Sequence, residues 1–454
     1  MIALLPMLVN RLGWGTILPM NFRPNPYLLL VAIVVVYVAI GVLYAALTPT
    51  WQVPDEPAHY NYIRALAEGR GFPVIEPGDY DQPYLGRLTT EDFPPELSIQ
   101  GLEYEDHQPP LYYLLAVPVY RLFDGALLPL RLLSVLFGAG MLALAFGVVR
   151  QIFPTWPELA LTAVACIAFI PQHVAMTAGV NNDALAELVV GGALWMLVVY
   201  VQTGKNRWIA WWLAAVLLTK TTAYAVLGIA ALALVIRWRQ GGQTWKWVWG
   251  QGVRMFGPAL LLAAPWFVRN GLTYGWLDPL GLARHNAVVE GQPRSVAWLA
   301  DYGWGGLVSR LVRTTFQSFW GQFGWMKVVL PTYIYLALAL LTALAVGGFL
   351  WWRFDRNRPE LTRPQRASLG LLLGLFLLVL LQFLGYNLAF VQHQGRYLFP
   401  ALIPIGTAAA LGLHQWASRL PSRWRGGAVA VPLAGLAALD VYCLFKYVIP
   451  FLTR

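Results

Sequence analysis

Charge is scarce in this chain. Asp, Glu, Lys and Arg make up 12% of its 454 residues, about half the share usual in soluble proteins. No polar stretch is long enough to fold as a second globular domain with its own core, so residues 1–454 read as a single domain. Cysteine is nearly absent. Cys166 and Cys443 both fall inside apolar runs and read as small buried hydrophobes, which excludes a disulfide framework or a thiolate metal site. The signatures of soluble enzymes are missing as well: no glycine-rich phosphate loop, no His-Glu-x-x-His zinc site, no Gly-x-Ser-x-Gly elbow and no Cys-x-x-Cys pair. Neither a repeat of fixed period nor a low-complexity run is present.

What the chain has is apolar length. Hydrophobic residues make up 58% of it, with 21 Trp, in long runs from end to end. This is the composition of a polytopic membrane protein, all-α because a spanning segment must satisfy its own backbone hydrogen bonds. The runs predict about eleven spans, at 27–47, 126–149, 159–176, 184–201, 208–219, 222–236, 256–268, 330–352, 367–390, 397–416 and 428–449. Glycine is plentiful at 42, and where it falls in such runs it serves close helix packing. Residues 1–24 lack a clear cleavage site. Arg11 and Arg23 precede a full-length span, so the first helix reads as a signal anchor with a cytoplasmic N-terminus.

Charge distribution then fixes the expected orientation. With the N-terminus inside, the cytoplasmic turns hold Arg150, Lys205, Arg207, Arg237, Arg239, Lys246, Arg254, the five arginines between 353 and 366, and Arg419, Arg423 and Arg425. The net charge of +10 therefore reads as topology and not as nucleic-acid binding. More than half of the 22 acids crowd into the first outer loop, against Arg64, Arg70 and Arg87. Two short apolar stretches decide the parity. Residues 109–123 are interrupted by Pro118 and too short to cross, so they are expected as a helix along the outer surface. Residues 208–236 are expected as a hairpin, each limb roughly 18–22 Å long, which puts its turn at Thr219–Thr222 below the outer surface. Two large outer loops result: 48–125, with juxtamembrane helices, and 270–329, with an interfacial helix at 307–320.

Chemistry-bearing residues gather at the outer side. Asp55 and Glu56 follow the first span within Pro54-Asp55-Glu56-Pro57-Ala58-His59-Tyr60. Adjacent carboxylates at a low-dielectric rim suit general-base work on an acceptor hydroxyl. The competing reading is a helix start, with Asp55 as N-cap of a helix over 57–67. His59 and His107 flank the two ends of the same loop; each also reads as an ordinary hydrogen-bonded or corner residue. Asn181-Asn182-Asp183 opens a span and reads either as a polar cap or as a ligand facing Asp55. Lys220, in the hairpin turn, either snorkels or pairs with an anionic lipid head group. Arg396 at the mouth of a later span suits a phosphate or anchors the interface beside Tyr397. The many Trp and Tyr of the second outer loop read mainly as an interfacial belt, and some of them alternatively as a stacking surface for a sugar ring.

The order of these motifs resembles a family. Pro-Asp-Glu-x-x-His after a signal anchor and a long loop closing in His107-Gln108-Pro109-Pro110-Leu111-Tyr112-Tyr113 are its first elements. Arg131-Leu132-Leu133-Ser134, Leu218-Thr219-Lys220, Pro265-Trp266-Phe267-Val268-Arg269-Asn270 and Gln394-Gly395-Arg396-Tyr397 follow. The pattern is similar to polyprenyl-phosphate-sugar-dependent glycosyltransferases of class C fold, among them protein O-mannosyltransferases and lipid A aminoarabinose transferases. It is most similar to bacterial membrane members of that group. The resemblance implies a sugar donor on a polyprenyl phosphate, an unspecified glycan, lipid or protein acceptor, and inverting transfer at the outer face of the cytoplasmic membrane. It implies Asp55 as base, with Glu56 or His59 positioning it. Lys220, Arg269 and Arg396 would hold the phosphate, while His107, Asp183, Asn270, His393 and Tyr397 complete the substrate site. Two departures stand out: Gln108 separates His107 from Pro109, and the first outer loop is unusually acidic. The second leaves room for a cationic acceptor or for a divalent cation near Asp55, although the expected cofactor is none. A lipid-linked glycan transporter and a non-catalytic envelope-assembly protein are the rival readings. A transporter calls for a polar path through the midplane and internal pseudo-symmetry, and the sequence displays neither.

Overall fold

A computed structural model describes residues 25–453. Residues 1–24, with the Arg11 and Arg23 on which the signal-anchor reading leans, lie outside the described residues. Among the described residues eight helices are long and apolar enough to cross a membrane: Pro26–Leu47, Leu127–Ile152, Asp183–Thr203, Thr221–Gly241, Thr332–Phe354, Arg363–Ala389, Gly395–Ala417 and Ser422–Leu452. Their outward faces are greasy. Tyr333, Leu336, Leu340 and Leu344 recur one turn apart on Thr332–Phe354 and are exposed, as are Leu373, Leu377, Leu381, Leu384 and Leu388 on Arg363–Ala389. Apolar stripes turned outward on several neighbouring helices have lipid as their natural solvent. The chain is a multi-pass, mostly helical membrane protein.

The expected eleven spans are corrected to eight, or nine if a bent pair counts as one. That pair, Pro157–Ala168 and Pro171–Thr177, bends by 69° where the sequence suggested one straight span. Pro171 explains the bend, because it cannot donate to the preceding turn and biases Ile170 out of helical geometry. The other two shortfalls are Ile209–Leu217, only nine residues long, and Trp245–Tyr274, which mixes its apolar stretch with Lys246, Gln251, Arg254 and Arg269. The expected hairpin break is present. Lys220 is extended (φ −162°, ψ 141°) between Ile209–Leu217 and a 3-10 turn, Thr221–Tyr224.

Packing between spans is close where glycine permits it. A Cβ at Gly412 would lie 2.0 Å from the Ala345 carbonyl oxygen, and one at Gly348 would lie 2.3 Å from the Gly412 carbonyl oxygen. Helices Thr332–Phe354 and Leu402–Ala417 thus cross backbone on backbone.

At one end of the bundle lie the two large loops, which are far from structureless. The first contains Glu56–Ala67, Gln82–Thr90 and the apolar helix Leu111–Leu122. Tyr62 of the first stacks on Tyr113 of the last, with ring centroids 3.7 Å apart. The second loop contains Leu282–Val288, the helix Ser295–Trp320 broken at Gly303, and a hairpin pairing Gln322–Phe323 with Val328–Val329. The two loops grip each other. Lys327 pairs with Asp92 and donates to the Thr89 carbonyl, and the Trp325 indole donates to the Trp51 carbonyl at 2.9 Å.

Candidate active site

Between these loops and the ends of the spans lies an open cavity of about 370 Å³. It is lined by Asp55, Arg396 and Tyr397 together with Tyr80, Tyr104, Glu105, His285 and Trp325, among others. The sequence brought three of its candidates here: Asp55, Arg396 and Tyr397.

Asp55 occupies the N-cap position of Glu56–Ala67 yet does not cap it. Its backbone is left-handed (φ 65°) and its side chain bonds no helix amide. The carboxylate turns into the cavity instead. Oδ2 accepts from Arg396 Nη2 at 2.6 Å and Oδ1 from the Tyr104 hydroxyl at 3.0 Å. Asp tolerates this backbone better than most residues, but the strain is real and such strain collects at functional sites. Burial pushes the Asp55 pKa up. The neighbouring positive charge, Arg396 above all, outweighs it and holds the carboxyl below its usual value.

Glu56, the second expected catalytic carboxylate, is corrected to an anchor. It is fully buried and does not reach the cavity. Arg131 grips it through Nε at 2.8 Å and Nη2 at 2.6 Å, and the amides of Val180 and Trp51 donate to it as well. Arg131 also donates to the carbonyls of Ala45, Thr48 and Pro49. One buried ion pair thereby ties together the end of the first span, the turn bearing Asp55, the start of the second span and the turn before Asp183.

Arg396 is placed with similar economy. Gly395 before it has no room for a side chain, since a Cβ would lie 2.3 Å from the Phe319 amide nitrogen. The Gly395 amide donates to Ser318 Oγ at 2.7 Å, locking the segment onto Ser295–Trp320. The guanidinium lies over the Tyr397 ring at 5.5 Å, and Nε is left without a partner.

A second ion pair stands behind the first. Lys220 Nζ meets Asp183 Oδ1 at 2.6 Å, with the Lys220 side chain 11% exposed. Neither lines the cavity, yet the Lys220 charge reaches Asp55. His59 packs between helices with Nδ1 at 2.9 Å from the Tyr113 hydroxyl, and burial keeps its pKa low, so it is uncharged at neutral pH. His107 sits behind the wall, 4.5 Å from the His285 ring, and burial lowers its pKa too.

Three expected ligands lie elsewhere. Arg269 was expected on a phosphate, but its guanidinium donates to the Phe72 and Pro73 carbonyls and stacks on Trp266. It clips the acidic loop to the bundle. Asn270 is buried and donates to the Pro279 carbonyl. His393 is buried against the Trp298 edge. Conversely, Tyr104, Glu105, Tyr80, His285 and Trp325 line the cavity without having been singled out. Only proximity in sequence to His107 could have pointed to Tyr104 and Glu105. Burial, reinforced by the Asp55 charge, raises the Glu105 pKa. Among the described residues no group of three or more His, Cys, Asp or Glu is arranged to hold a metal ion.

Residues 107–268 match the family model described as dolichyl-phosphate-mannose-protein mannosyltransferase. The match spans a little over a third of the chain. It begins at His107 and takes in Arg131, Asp183 and Lys220, but neither Asp55 nor Arg396. Among solved structures the chain is similar to ArnT from Cupriavidus metallidurans, bound to undecaprenyl phosphate and in the apo state. Each of these has 14% identity and a TM-score of 0.48, over 93% of this chain and 73% of that one. It is also similar to an Archaeoglobus fulgidus oligosaccharyltransferase complexed with Zn and sulfate (16% identity, TM-score 0.47, 91% of this chain and 52% of that one). No residue role is carried over from these structures. No curated protein matches the sequence. Over residues 107–268 the family match agrees with the resemblance read from the motifs.

Proposed function

We propose that the chain transfers a sugar from a polyprenyl-phosphate donor to a hydroxyl acceptor at the outer face of a bacterial cytoplasmic membrane, with Asp55 as general base. The observation that carries this reading is the Asp55 carboxylate itself. It sits at a helix start without capping it, and it faces an open cavity while paired to Arg396.

Glycosyl transfer from a lipid phosphate needs a base for the acceptor hydroxyl and cations for the leaving phosphate. Within the site each cation is matched by an acid, Arg396 by Asp55 and Lys220 by Asp183. An incoming phosphodiester competes for the guanidinium, which suits two phosphate oxygens at once. Once Arg396 turns to the phosphate, Asp55 loses the strongest influence holding its pKa down and becomes the stronger base. It then accepts the hydroxyl proton as that oxygen attacks the anomeric carbon from the side opposite the phosphate. The anomeric centre inverts and polyprenyl phosphate leaves already ionised, so no separate general acid is needed.

The test uses purified protein in lipid nanodiscs with a set of undecaprenyl-phosphate-linked hexoses and pentoses, following release of undecaprenyl phosphate. Release from at least one donor, lost in Arg396→Gln, is the expected result. Absence of both release and undecaprenyl-phosphate binding across the set would overturn the reading.

A further inference from the structure

Outside the charged pair, the cavity wall is built mainly of amides and aromatic rings. Gln82 comes from the helix Gln82–Thr90, Gln292 from the segment after Leu282–Val288, and Trp325 from the hairpin tip. The first two share one patch of wall. Gly291, at φ +76°, approaches so closely that a Cβ there would lie 3.2 Å from the Gln82 Cβ. Gln82 Oε1 accepts from the Tyr80 hydroxyl, which aligns its amide. Gln292 Oε1 is buried and unpartnered. The Trp325 ring is fixed by its bond to the Trp51 carbonyl and by Phe93 at 5.9 Å.

The charge around this wall limits what it can hold. Among the described residues lining the cavity, Arg396 is the only Lys or Arg, and Asp55 already occupies it. His285 is uncharged near neutral pH, because burial and nearby Arg294 bring its pKa down to about 4. Glu105 adds acidity on the same side. An anionic acceptor would find no free cation here, and an acyl chain would meet amides. A neutral polyhydroxyl group fits, since an amide donates and accepts in one plane as sugar hydroxyls require, and an indole face suits the apolar face of a pyranose.

We infer that Gln82, Gln292 and Trp325 form an acceptor subsite for a neutral glycan. This rests on the transfer reading above only for the word acceptor; the sugar-binding wall stands or falls separately.

The test is saturation-transfer NMR on the full chain in nanodiscs, with neutral trisaccharides of gluco, manno and galacto configuration and their phosphorylated counterparts. With undecaprenyl phosphate present to occupy Arg396, at least one neutral trisaccharide is expected to bind, and phosphorylated forms to bind more weakly. Binding should weaken about tenfold in Gln82→Leu/Gln292→Leu, the effect of two ordinary hydrogen bonds, and persist in Asp55→Asn. Gln292→Glu, which keeps the side chain's size, supplies a second variant should the double leucine variant not fold, and is expected to weaken binding as well. Saturating undecaprenyl-phosphate-linked glucose should leave the trisaccharide bound. Displacement by that donor would assign the wall to the donor's own sugar and overturn the acceptor assignment. No neutral binding, equal binding of phosphorylated forms, or indifference to both Gln variants would overturn the wall itself.

Discussion

At the scale of single residues, two adjacent carboxylates have opposite fates. Glu56 is withdrawn into a dry ion pair with Arg131, whereas its neighbour is held by a left-handed turn where substrate can reach it. Removing one partner of such a buried pair leaves an uncompensated charge, at a typical loss of about 3–5 kcal/mol. Glu56→Gln should therefore lower the thermal unfolding midpoint well below wild type in the same detergent, while Asp55→Asn, whose partner Arg396 borders the open cavity, lowers it less. An unaltered midpoint for Glu56→Gln would contradict the anchoring role. The pH dependence belongs to the same scale. Because Arg396 holds the Asp55 pKa below the ordinary carboxylate range until donor binds, kcat/KM for donor, which reports the free protein, should survive into mildly acidic buffer and fall only as pH drops through that lowered value. In Arg396→Lys the shorter, non-planar cation holds Asp55 less well and burial pushes its pKa upward. The acid limb of the residual activity should then move to higher pH, as a pH profile of the two proteins will reveal. The position of Asp55 was legible in the sequence, because a charged run directly after an apolar span is costly. The division of labour within the pair was not. It depends on Arg131 and the Val180 amide, which only the fold brings near.

At the scale of elements, glycines hold the spans at backbone distance. Gly412→Ala would press a methyl group toward the Ala345 carbonyl, and overpacking of this kind typically costs about 1–3 kcal/mol. Gly370→Ala, with nothing within 4 Å of its would-be Cβ, serves as control; its midpoint should hold or rise slightly, since alanine favours helix over glycine. Equal behaviour of the two variants would remove the packing argument. Elements with long apolar runs were readable from composition, as was the helix break at Lys220. The bend at Pro171 was missed because summed hydropathy does not register geometry. The extent of helix in the second outer loop was underestimated. Ser295–Trp320 opens with exposed Val296 and Trp304, and the sequence argument began only at Leu307.

At the scale of the whole molecule, the cavity belongs to no single element. Its wall is assembled from the turn before Glu56–Ala67, the acidic loop, the second outer loop and the segment leading into Gly395–Ala417. Asp55 and Arg396 are separated by 341 positions yet meet at 2.6 Å. The sequence could name both, since each stood out as a costly charge at a membrane edge. The residues that surround them, Tyr104, His285, Gln292 and Trp325, carry no such mark because polar and aromatic groups are ordinary in loops. The same long-range assembly explains why Arg269, similar in type and setting to Arg396, was misplaced: its partners Phe72 and Pro73 come from a loop whose path composition does not fix. What the account asks of the assembled molecule is that one carboxylate at this junction take the acceptor's proton. The direct measurement is single-turnover consumption of a bound undecaprenyl-phosphate-linked sugar by wild type and by Asp55→Asn, with donor affinity measured in parallel. The account predicts undiminished donor binding and a rate lower by about 10²–10⁴, the usual worth of a general base. A variant that binds donor and turns it over at the wild-type rate would contradict it.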